Sequence, residues 1–419
     1  MKILMVNKFF YIKGGSETYY FALKRLLEQH HHTVVDFSMK DPKNFPSPYE
    51  RYFVENIDYN AQQNIANQMK LGVKLIYSQE AKQKLEQLVR KEKPDIAHLH
   101  IFQHQLSLSI LDVLKKYHIP VVYTAHDLQM LCPNYQMMTH GKICERCKGK
   151  RYFNCTRYKC IKDSTAKSLL GTMEAYFNQA TKKYDVIDKI ITPSQFYRRK
   201  FLQFGVRPDR VVHLPNFLDL KQPKIAPNQR GDYYLYFGRL SKEKGILTLI
   251  HSAIQTGIRL LIVGTGPLKQ ELEQILAKKT THRIELLGFR SGQELFHLVG
   301  NAKAVVLPSE WYENGPYSAI EALMLGRPII GSDIGGIPEL VWEGENGFLF
   351  HHGSKESLAG AIRKMELLTP EEEQMFSDCS RQIYQKYYTG TAHYPKLMAI
   401  YQEAIQAKHP PKQKEGYRR

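Results

Sequence analysis

Short apolar runs alternate along this chain with longer segments whose apolar residues recur at helical spacing. The runs have the length and composition of buried strands, and the segments between them are long enough for crossover helices. Alternation of this kind predicts parallel sheets with helices on both faces. The predicted strands are 2–9, 33–39, 95–100, 120–126, 187–193 and 210–214, followed by 233–237, 259–263, 284–287, 304–307, 328–331 and 347–350.

A polar, proline-punctuated segment at 220–231 interrupts this pattern, which then starts again. A chain of 419 residues is long enough for two domains that each bury a core. We therefore predict one Rossmann-like α/β domain over 1–217, a second over 232–377, and a helical region over 378–408. Two prolines and alternating charges in 409–419 predict a disordered tail.

One polar segment within 40–93 has an apolar helical face opposite many lysines. Such a face usually packs on a core, and contact with a membrane surface is the alternative. The face comprises Met69, Val73, Ile76, Tyr77, Leu85, Leu88 and Val89.

The composition favours a globular enzyme, with 43% hydrophobic and 24% charged residues. No apolar run approaches the roughly 20 residues that a membrane span needs, and the first run is too short for a signal peptide. We therefore expect a cytoplasmic protein whose six cysteines are reduced or metal-bound. The net charge of +18 predicts anionic partners, namely nucleotide phosphates, anionic lipid headgroups or nucleic acid.

The stretch 307–339 combines two glutamates with a glycine–proline turn. A predicted strand ends at Leu307, and Glu313 lies in the following loop, eight residues before Glu321 on a predicted helix. Gly315 allows a close backbone approach, and Pro316 suits the first helical turn. We therefore expect both carboxylates to face one crevice, beside a helix N-terminus that favours oxygen-rich or anionic groups.

Three glycine loops follow predicted strands, where ligands collect in open α/β sheets. Gly14 and Gly15 precede a helix predicted to begin at Thr18, and Gly264 and Gly266 form what is usually a plain tight turn. The third loop contains Gly238, Arg239 and Lys244. Its arginine can grip two phosphate oxygens, and its lysine supplies a movable charge, so we expect a diphosphate there.

Five cysteines lie within an insert at about 128–162. Cys144 and Cys147 form a chelating knuckle, and Cys155 and Cys160 complete a tetrahedral thiolate site, with Cys132 as a reserve ligand. The insert has eight Lys or Arg residues and a single acid, Glu145, which would offset the charge of such a site. Structural zinc is our expectation; an iron–sulfur cluster or a set of reduced cysteines are the alternatives.

The Glu313-x7-Glu321 pair, the Gly-Arg-Pro strand start at 326–328 and Gly335-Gly336 together resemble the signature of retaining nucleotide-sugar glycosyltransferases of family four. The segment 238–245 resembles that family's Gly-Arg-Leu-x-x-x-Lys-Gly motif. This resemblance implies the GT-B fold, two Rossmann-like domains facing across a cleft, with the last helix crossing back onto the N-terminal domain. It does not explain the cysteine insert, which the family in general does not need.

The resemblance also implies a reaction and its residues. A sugar would pass, with retention of configuration, from a UDP or GDP donor to a glycan or polyprenyl-diphosphate-linked acceptor in surface polysaccharide synthesis. Arg239 and Lys244 would stabilise the leaving diphosphate, and Glu321 would bind the ribose. Glu313 would hold the hydroxyls of the sugar, aided by backbone N–H groups of the segment Asn314, Gly315, Pro316 and Tyr317, in which the proline has none. His126 would lie beside the reacting sugar, and Gly264 and Gly266 would border the nucleotide.

In this scheme no cofactor is required for catalysis, because positive side chains replace a metal ion. We expect the protein to act at the inner face of the plasma membrane. A nucleotide-sugar epimerase or a phosphorylase on the same fold is the alternative enzyme, although no cofactor lysine can be assigned. A zinc-dependent nucleic-acid binder is the alternative outside enzymes, although the insert lacks the aromatic–basic interleaving of known modules.

Overall fold

The computed structural model describes residues 1–56, 74–219, 231–277 and 283–409. Two positions of the predicted amphipathic face, Met69 and Val73, lie outside these residues. The same is true of nearly all of the predicted linker and of the tail beyond His409.

The first half of the chain forms a six-stranded parallel sheet with the order β2-β1-β3-β4-β7-β8. Apolar residues of helices cover both faces of this sheet in two buried clusters. The strands are β1 Lys2–Val6, β2 Thr33–Phe37, β3 Ile96–Leu99, β4 Val121–Thr124, β7 Lys189–Thr192 and β8 Val211–His213, and a small antiparallel hairpin has β5 Met138–Thr139 and β6 Lys142–Ile143. The helices are α1 Gly15–Gln29, α2 Gln79–Glu92, α3 Ser109–Lys116, α4 Phe153–Arg157, α5 Thr165–Ala180 and α6 Gln195–Gln203.

The second half forms another six-stranded parallel sheet, ordered β11-β10-β9-β12-β13-β14 and again covered on both faces. Its strands are β9 Tyr233–Phe237, β10 Arg259–Val263, β11 Ile284–Gly288, β12 Ala304–Leu307, β13 Ile329–Ser332 and β14 Gly347–Phe350. Its helices are α7 Ile246–Thr256, α8 Lys269–Ala277, α9 Gly292–Asn301, α10 Tyr317–Met324, α11 Lys355–Glu366 and α12 Pro370–Tyr387. The prediction of two Rossmann-like units is therefore confirmed.

The chain crosses twice between the two units, and the crossings touch. Helix α12 ends at Tyr387, and α13 Gly390–Lys408 packs its apolar residues into the core of the first sheet. At the crossing, Leu218 N donates to Tyr388 O at 2.9 Å and Tyr384 Oη donates to Leu218 O at 2.8 Å. These two hydrogen bonds thus fix the segment that returns to the first unit against the segment that leaves it.

Several predicted boundaries differ from the observed ones because side chains cap the helices. The C-terminal helical region begins at Pro370, eight residues before the predicted 378, since Thr369 and Glu372 form a reciprocal cap. Helix α1 begins at Gly15 rather than Thr18. Pro316 is the N-cap of α10 rather than part of its first turn. None of the helices in the described residues is long and apolar enough to span a bilayer.

Candidate active site

The strand order of the second sheet brings two functional loops together. Strands β9 and β12 are neighbours although two other strands separate them in sequence, so the loops after them meet where the direction of winding reverses. Such switch points are where open α/β sheets bind ligands. The loop after β9 carries Arg239 and Lys244, and the loop after β12 carries Glu313.

Lys244 and Glu313 form an ion pair at this switch point. Lys244 Nζ lies 2.5 Å from Glu313 Oε1, and Ser309 Oγ and Trp311 Nε1 donate to the same oxygen, each at 2.8 Å. Burial raises the pKa of this carboxyl, but Lys244 and the two hydrogen bonds outweigh it and hold the pKa below its usual value. Among the described residues no donor reaches Oε2, so Glu313 is an ionised, fixed acceptor with one oxygen left for a ligand.

Arg239 is exposed on the same loop. Among the described residues its guanidinium makes no salt bridge or hydrogen bond. Burial raises the pKa of Tyr135, a residue of the cysteine-rich insert, and the nearby charge of Arg239 opposes this shift. The arginine therefore faces the first domain across the cleft, where it is available to an anion.

Glu321 lies on α10, one helical turn from its start. Burial raises the pKa of its carboxyl to about 7, so near neutral pH the group is only part ionised. No hydrogen bond to this carboxyl is made within the described part of the chain. A desolvated carboxyl that lacks a hydrogen-bond partner is costly, and such groups are common in binding sites.

The glycines after β10 are explained by packing between loops. A Cβ on Gly264 would lie 1.9 Å from Gly238 O, and one on Gly266 would lie 2.4 Å from Leu240 O. Gly238 itself is exposed. Gly14 and Gly15 are also exposed, at the N-terminus of α1, and a Cβ on Gly15 would lie 3.3 Å from the ring of Tyr317 in the other domain.

The segment predicted to hold the sugar also joins the two domains. Asn314 Nδ2 donates to Ala125 O at 2.9 Å, and its Oδ1 accepts from Ser194 Oγ at 3.1 Å. Gly315 O accepts from Asn216 Nδ2 at 2.9 Å, and Tyr317 Oη donates to Phe217 O at 3.2 Å. The contacts of Asn314 and Tyr317 are thus between domains, and Pro316 supplies only a cap.

His126 follows Ala125 and so lies beside this interdomain contact. Its Nε2 is 3.1 Å from His100 Nδ1, and burial lowers its pKa to about 3. The ring is therefore neutral over the ordinary pH range. Both ring nitrogens of His98, by contrast, are hydrogen-bonded, Nδ1 to Tyr401 Oη and Nε2 to Thr124 Oγ1, each at 2.7 Å. His98 therefore has a structural role.

Three charged residues at the carboxyl end of the first sheet were missed by sequence reasoning. Burial lowers the pKa of Lys8 and raises the pKa values of Glu17 and Asp127. Glu17 accepts hydrogen bonds from Ser16 Oγ at 2.9 Å and Asn7 Nδ2 at 3.4 Å. Their positions in the sequence could have indicated them, because Lys8 lies just after β1, Glu17 in the first turn of α1 and Asp127 just after β4.

Outside the crevice, the cysteines of the insert meet only in pairs, and within the described residues one group of three side chains, in the second domain, is close enough to share a metal ion. In the insert, the thiol of Cys132 contacts that of Cys147, and the thiol of Cys155 contacts that of Cys160. In the second domain Asp333 accepts from His351 Nδ1 at 3.0 Å and His352 Nδ1 at 2.7 Å, and the three groups are close enough to share an ion. This group is largely exposed and was not predicted from the sequence.

Solved structures with the same fold are known. The chain superposes on sucrose-phosphate synthase from Thermosynechococcus elongatus with a TM-score of 0.72 and 19% identity, covering 97% of this chain and 99% of that one. It superposes on Anabaena HepE, solved with UDP and glucose, with a TM-score of 0.64 and 19% identity, covering 96% and 99%. Two doubly wound domains meeting at such a cleft define the GT-B class of glycosyltransferases.

Family models place the chain within this class. The model described as Glycosyltransferase Family 4 matches residues 13–222, and the model described as Glycosyl transferases group 1 matches residues 219–382. The chain belongs to glycosyltransferase family 4.

Curated relatives match part of the chain. An uncharacterised glycosyltransferase of Methanocaldococcus jannaschii is 29% identical over 237 residues, which is 55% of this chain and 57% of that protein. The lipopolysaccharide 1,2-N-acetylglucosaminetransferase of Salmonella typhimurium is 26% identical over 223 residues, 48% of this chain and 58% of that protein. The chain spans about half the length of these relatives.

Proposed function

We propose that this protein transfers a sugar from a nucleoside-diphosphate donor to a glycan or lipid-linked acceptor in polysaccharide synthesis. The Lys244–Glu313 pair at the switch point, with the exposed Arg239 on the same loop, is the observation that carries the proposal. Negative charge develops on the departing diphosphate, and Arg239, Lys244 and the nearby helix N-termini stabilise it. The similarity to glycosyltransferases supports this function over the epimerase, the phosphorylase and the nucleic-acid binder.

Within the crevice each residue has a proposed task. Glu313, held ionised and fixed, accepts hydrogen bonds from hydroxyls of the donor sugar. Glu321 accepts from the ribose, and His126 contributes a neutral ring on the opposite wall. HepE binds UDP and glucose in its solved complex, which supports a UDP-type donor here, with a GDP-type donor as the alternative. No metal ion or cofactor is assigned a part in the transfer.

We propose that the sugar keeps its configuration. The bond between the anomeric carbon and the diphosphate oxygen breaks, the acceptor oxygen bonds to the same face of that carbon, and the acceptor proton leaves with the diphosphate. Glu313 is suited to orient the sugar rather than attack it, because three donors already hold Oε1. The transferred group is a hexosyl or N-acetylhexosaminyl unit; the Salmonella relative transfers N-acetylglucosamine.

A donor screen tests this proposal. Thermal unfolding is followed with UDP-, GDP- and ADP-sugars, since a ligand that binds the native state raises Tm. The protecting donor is then incubated with lipid-linked or glycan acceptors, and released nucleoside diphosphate and the anomeric configuration of the product are measured. We expect protection by one donor class, none in Arg239→Ala, and a retained anomer. Absence of protection by every nucleotide sugar would contradict the proposal.

An exposed apolar stripe on α5 supports binding of the protein to an anionic membrane. Leu169 and Met173 on α5 are 48% and 55% exposed, and Phe153 beside them is 50% exposed. The insert next to the stripe is strongly basic. We therefore propose that α5 rests on anionic lipid at the inner face of the plasma membrane, where a polyprenyl-linked acceptor would be reached.

Vesicle sedimentation tests the membrane proposal. The protein should sediment with vesicles containing phosphatidylglycerol and remain free with phosphatidylcholine alone. The double variant Leu169→Ser, Met173→Ser should lose this binding and keep its Tm, because both side chains are exposed. Leu367→Ser is the matched control, since Leu367 is 82% exposed on another part of the molecule. Equal sedimentation of the double variant and the wild type would exclude α5.

A further inference from the structure

Asp333, His351 and His352 form a group at the carboxyl end of the second sheet. Asp333 directly follows β13, and the two histidines follow β14, the neighbouring strand. Asp333 Oδ2 lies 3.0 Å from His351 Nδ1, and Oδ1 lies 2.7 Å from His352 Nδ1. The two imidazole rings have centroids 4.7 Å apart and are tilted by 53°. Ligand atoms of all three side chains lie within 4.8 Å of one another, so the two rings converge on one carboxylate.

The backbone already holds these three positions together. His352 N donates to Asp333 Oδ1 at 2.9 Å, and Asp333 N donates to Phe350 O at 2.9 Å. His351 N donates to Ser357 Oγ of α11 at 2.9 Å. The group is thus attached to the ends of two paired strands and to a helix. Little backbone entropy therefore remains to be lost when an ion binds there.

Asp333 has an unusual set of partners for a carboxylate of a basic protein. The chain has 59 Lys and Arg residues, yet over the described ranges none of them forms an ion pair with Asp333. Burial raises the pKa of this carboxyl, but hydrogen bonds from the backbone and ring of His352 and from the ring of His351 outweigh it and lower the pKa to about 2. The side chain is 39% exposed. The group therefore offers an ionised oxygen ligand and two nitrogen ligands that an ion can reach.

We propose that Asp333, His351 and His352 bind one divalent transition-metal ion of the zinc class. Two imidazoles and a carboxylate are a donor set of three-ligand zinc sites, which keep a further position for water. Magnesium and calcium prefer oxygen ligands, so the two histidines disfavour them. Ligands of one tetrahedral zinc ion lie roughly 3.3 Å apart, and the observed 2.7 and 3.0 Å need only a small separation. Each neutral ring then contacts the ion through Nδ1 and carries its proton on Nε2.

The ion would act on the crevice through the turn that Asp333 begins. Gly336 N donates to Glu313 O at 2.8 Å, and a Cβ on Gly335 would lie 2.5 Å from the same oxygen. The turn therefore packs directly against the backbone of the Glu313 loop. A metal ion that joins Asp333 to the segment between β14 and α11 restrains this turn, and Asp333 is then a positioning residue for Glu313. The benefit to donor binding rests on the proposed function, whereas the metal site itself does not.

Zinc binding by the full chain is the first test. The protein is treated with a chelator and titrated with zinc by calorimetry. Because the cysteines of the insert can also bind zinc, the site is counted as the difference between the wild type and Asp333→Asn, and we expect about one equivalent. Asparagine keeps the size of the side chain and one acceptor oxygen, so hydrogen bonding from the rings is partly retained. His297→Gln is the matched control, since it removes an exposed histidine of α9 and should bind zinc like the wild type.

Chemical modification then locates the ion. Diethyl pyrocarbonate acylates a ring nitrogen that carries neither a proton nor a metal ion, and mass spectrometry of peptides measures the rate at each histidine. Zinc at ten times its Kd should slow modification of His351 and His352 about tenfold, because only the metal-free form reacts. His297 should react at an unchanged rate, and Asp333→Asn should show no protection.

Two results would overturn the metal site. One is an equal zinc stoichiometry and affinity in the wild type and Asp333→Asn. The other is an unchanged modification rate of His351 and His352 in the wild type with zinc present. If Asp333→Asn fails to fold, this second measurement decides alone, because it needs only the wild-type protein.

The effect on the Glu313 loop has its own readout, which needs no donor. The chain has two tryptophans, so Trp342→Phe leaves Trp311, whose Nε1 donates to Glu313, as the sole tryptophan. Zinc should reduce acrylamide quenching of Trp311 fluorescence in this variant and have no effect when Asp333→Asn is added. Unchanged quenching with zinc bound would refute the restraint and leave the metal site intact. Failure of the donor screen would refute the proposed function without affecting either result.

Discussion

Arg239 and Lys244 lie on one loop but are in different states. Lys244 forms an ion pair with Glu313, whereas the exposed Arg239 has no ion-pair partner among the described residues. Arg239→Ala should lower kcat/KM roughly a hundredfold or more, because it removes a preorganised charge at the leaving group. Arg239→Lys should recover only part, since lysine cannot make two parallel hydrogen bonds. Steady-state kinetics check this, and wild-type turnover in the alanine variant would remove Arg239 from the mechanism.

Glu313 gives a second expectation at the residue scale. Glu313→Gln keeps the size of the side chain but removes the charge that pairs with Lys244, so turnover should fall with every donor sugar accepted. A loss confined to one sugar would instead indicate a role in specificity. Initial rates with a panel of donors distinguish these results.

Glu321 gives a dependence on pH. Its pKa of about 7 in the free protein, raised by burial, means that the carboxylate predominates at pH 8 and the acid at pH 6. Ribose hydroxyls donate to the carboxylate, so binding of a nucleotide sugar should strengthen as pH rises from 6 to 8. Glu321→Gln should bind more weakly at pH 8 and lose this dependence. Unchanged affinity in the glutamine variant would contradict the ribose role.

The same shift predicts the direction of a stability effect. An acid whose pKa is higher in the folded protein favours folding at low pH, and this contribution is lost as pH rises from about 4.5 to 7. Glu321→Gln should therefore raise Tm at pH 8 in the absence of ligand and change it little at pH 4. Thermal unfolding at both values checks the sign.

The sequence indicated candidate residues for the chemistry but not how they interact. Glu313 and Lys244 could be identified from their loops, but their ion pair depends on β9 and β12 being neighbours, which sequence order does not reveal. Asn314 was expected to serve the sugar through its backbone N–H, and the sequence did not indicate that its side chain joins the domains through Ala125 and Ser194. Lys8 was missed because its burial depends on surrounding tertiary structure.

At the scale of elements, strands were predicted more closely than helices. Strands β9, β10, β12 and β14 have the predicted bounds, because buried parallel strands are continuous apolar runs. Helix α12 began earlier than predicted because its first turn is acidic and polar, and its start is marked only by the Thr369 cap. A cap is set by a few hydrogen bonds and leaves a weaker pattern than an apolar run.

The turn before α7 offers a matched test of packing between elements. Gly245 and Gly257 both have positive φ, +65° and +70°. A Cβ on Gly245 would lie 1.8 Å from Pro308 O, whereas nothing lies within 4 Å of one on Gly257. Gly245→Ala should therefore lower Tm more than Gly257→Ala and also abolish protection by the donor. Equal loss of Tm would show that backbone strain alone, not the approach of the Lys244 loop to the Glu313 loop, explains the glycine.

At the scale of the whole molecule, Glu339 is a carboxylate of the second domain bound to a helix of the first. Its Oε2 accepts from Gln195 N at 2.7 Å and its Oε1 from Phe196 N at 2.6 Å, at the start of α6. Unpaired N–H groups and the helix dipole favour an anion at this position. Because this contact joins the two domains at a point outside the Glu313 loop, it holds them in the relative position that forms the crevice.

Removing this carboxylate should loosen the closed arrangement without touching the donor residues. Glu339→Ala should increase the radius of gyration measured by small-angle X-ray scattering in the absence of ligand. It should also raise the KM for the donor more than it lowers kcat, because binding must then restore the domain position. Glu345→Ala removes an exposed glutamate of the same domain and should change neither quantity. If Glu339→Ala matches this control in both, the contact does not govern closure, and the crossing at Leu218 and Tyr388 suffices to position the domains.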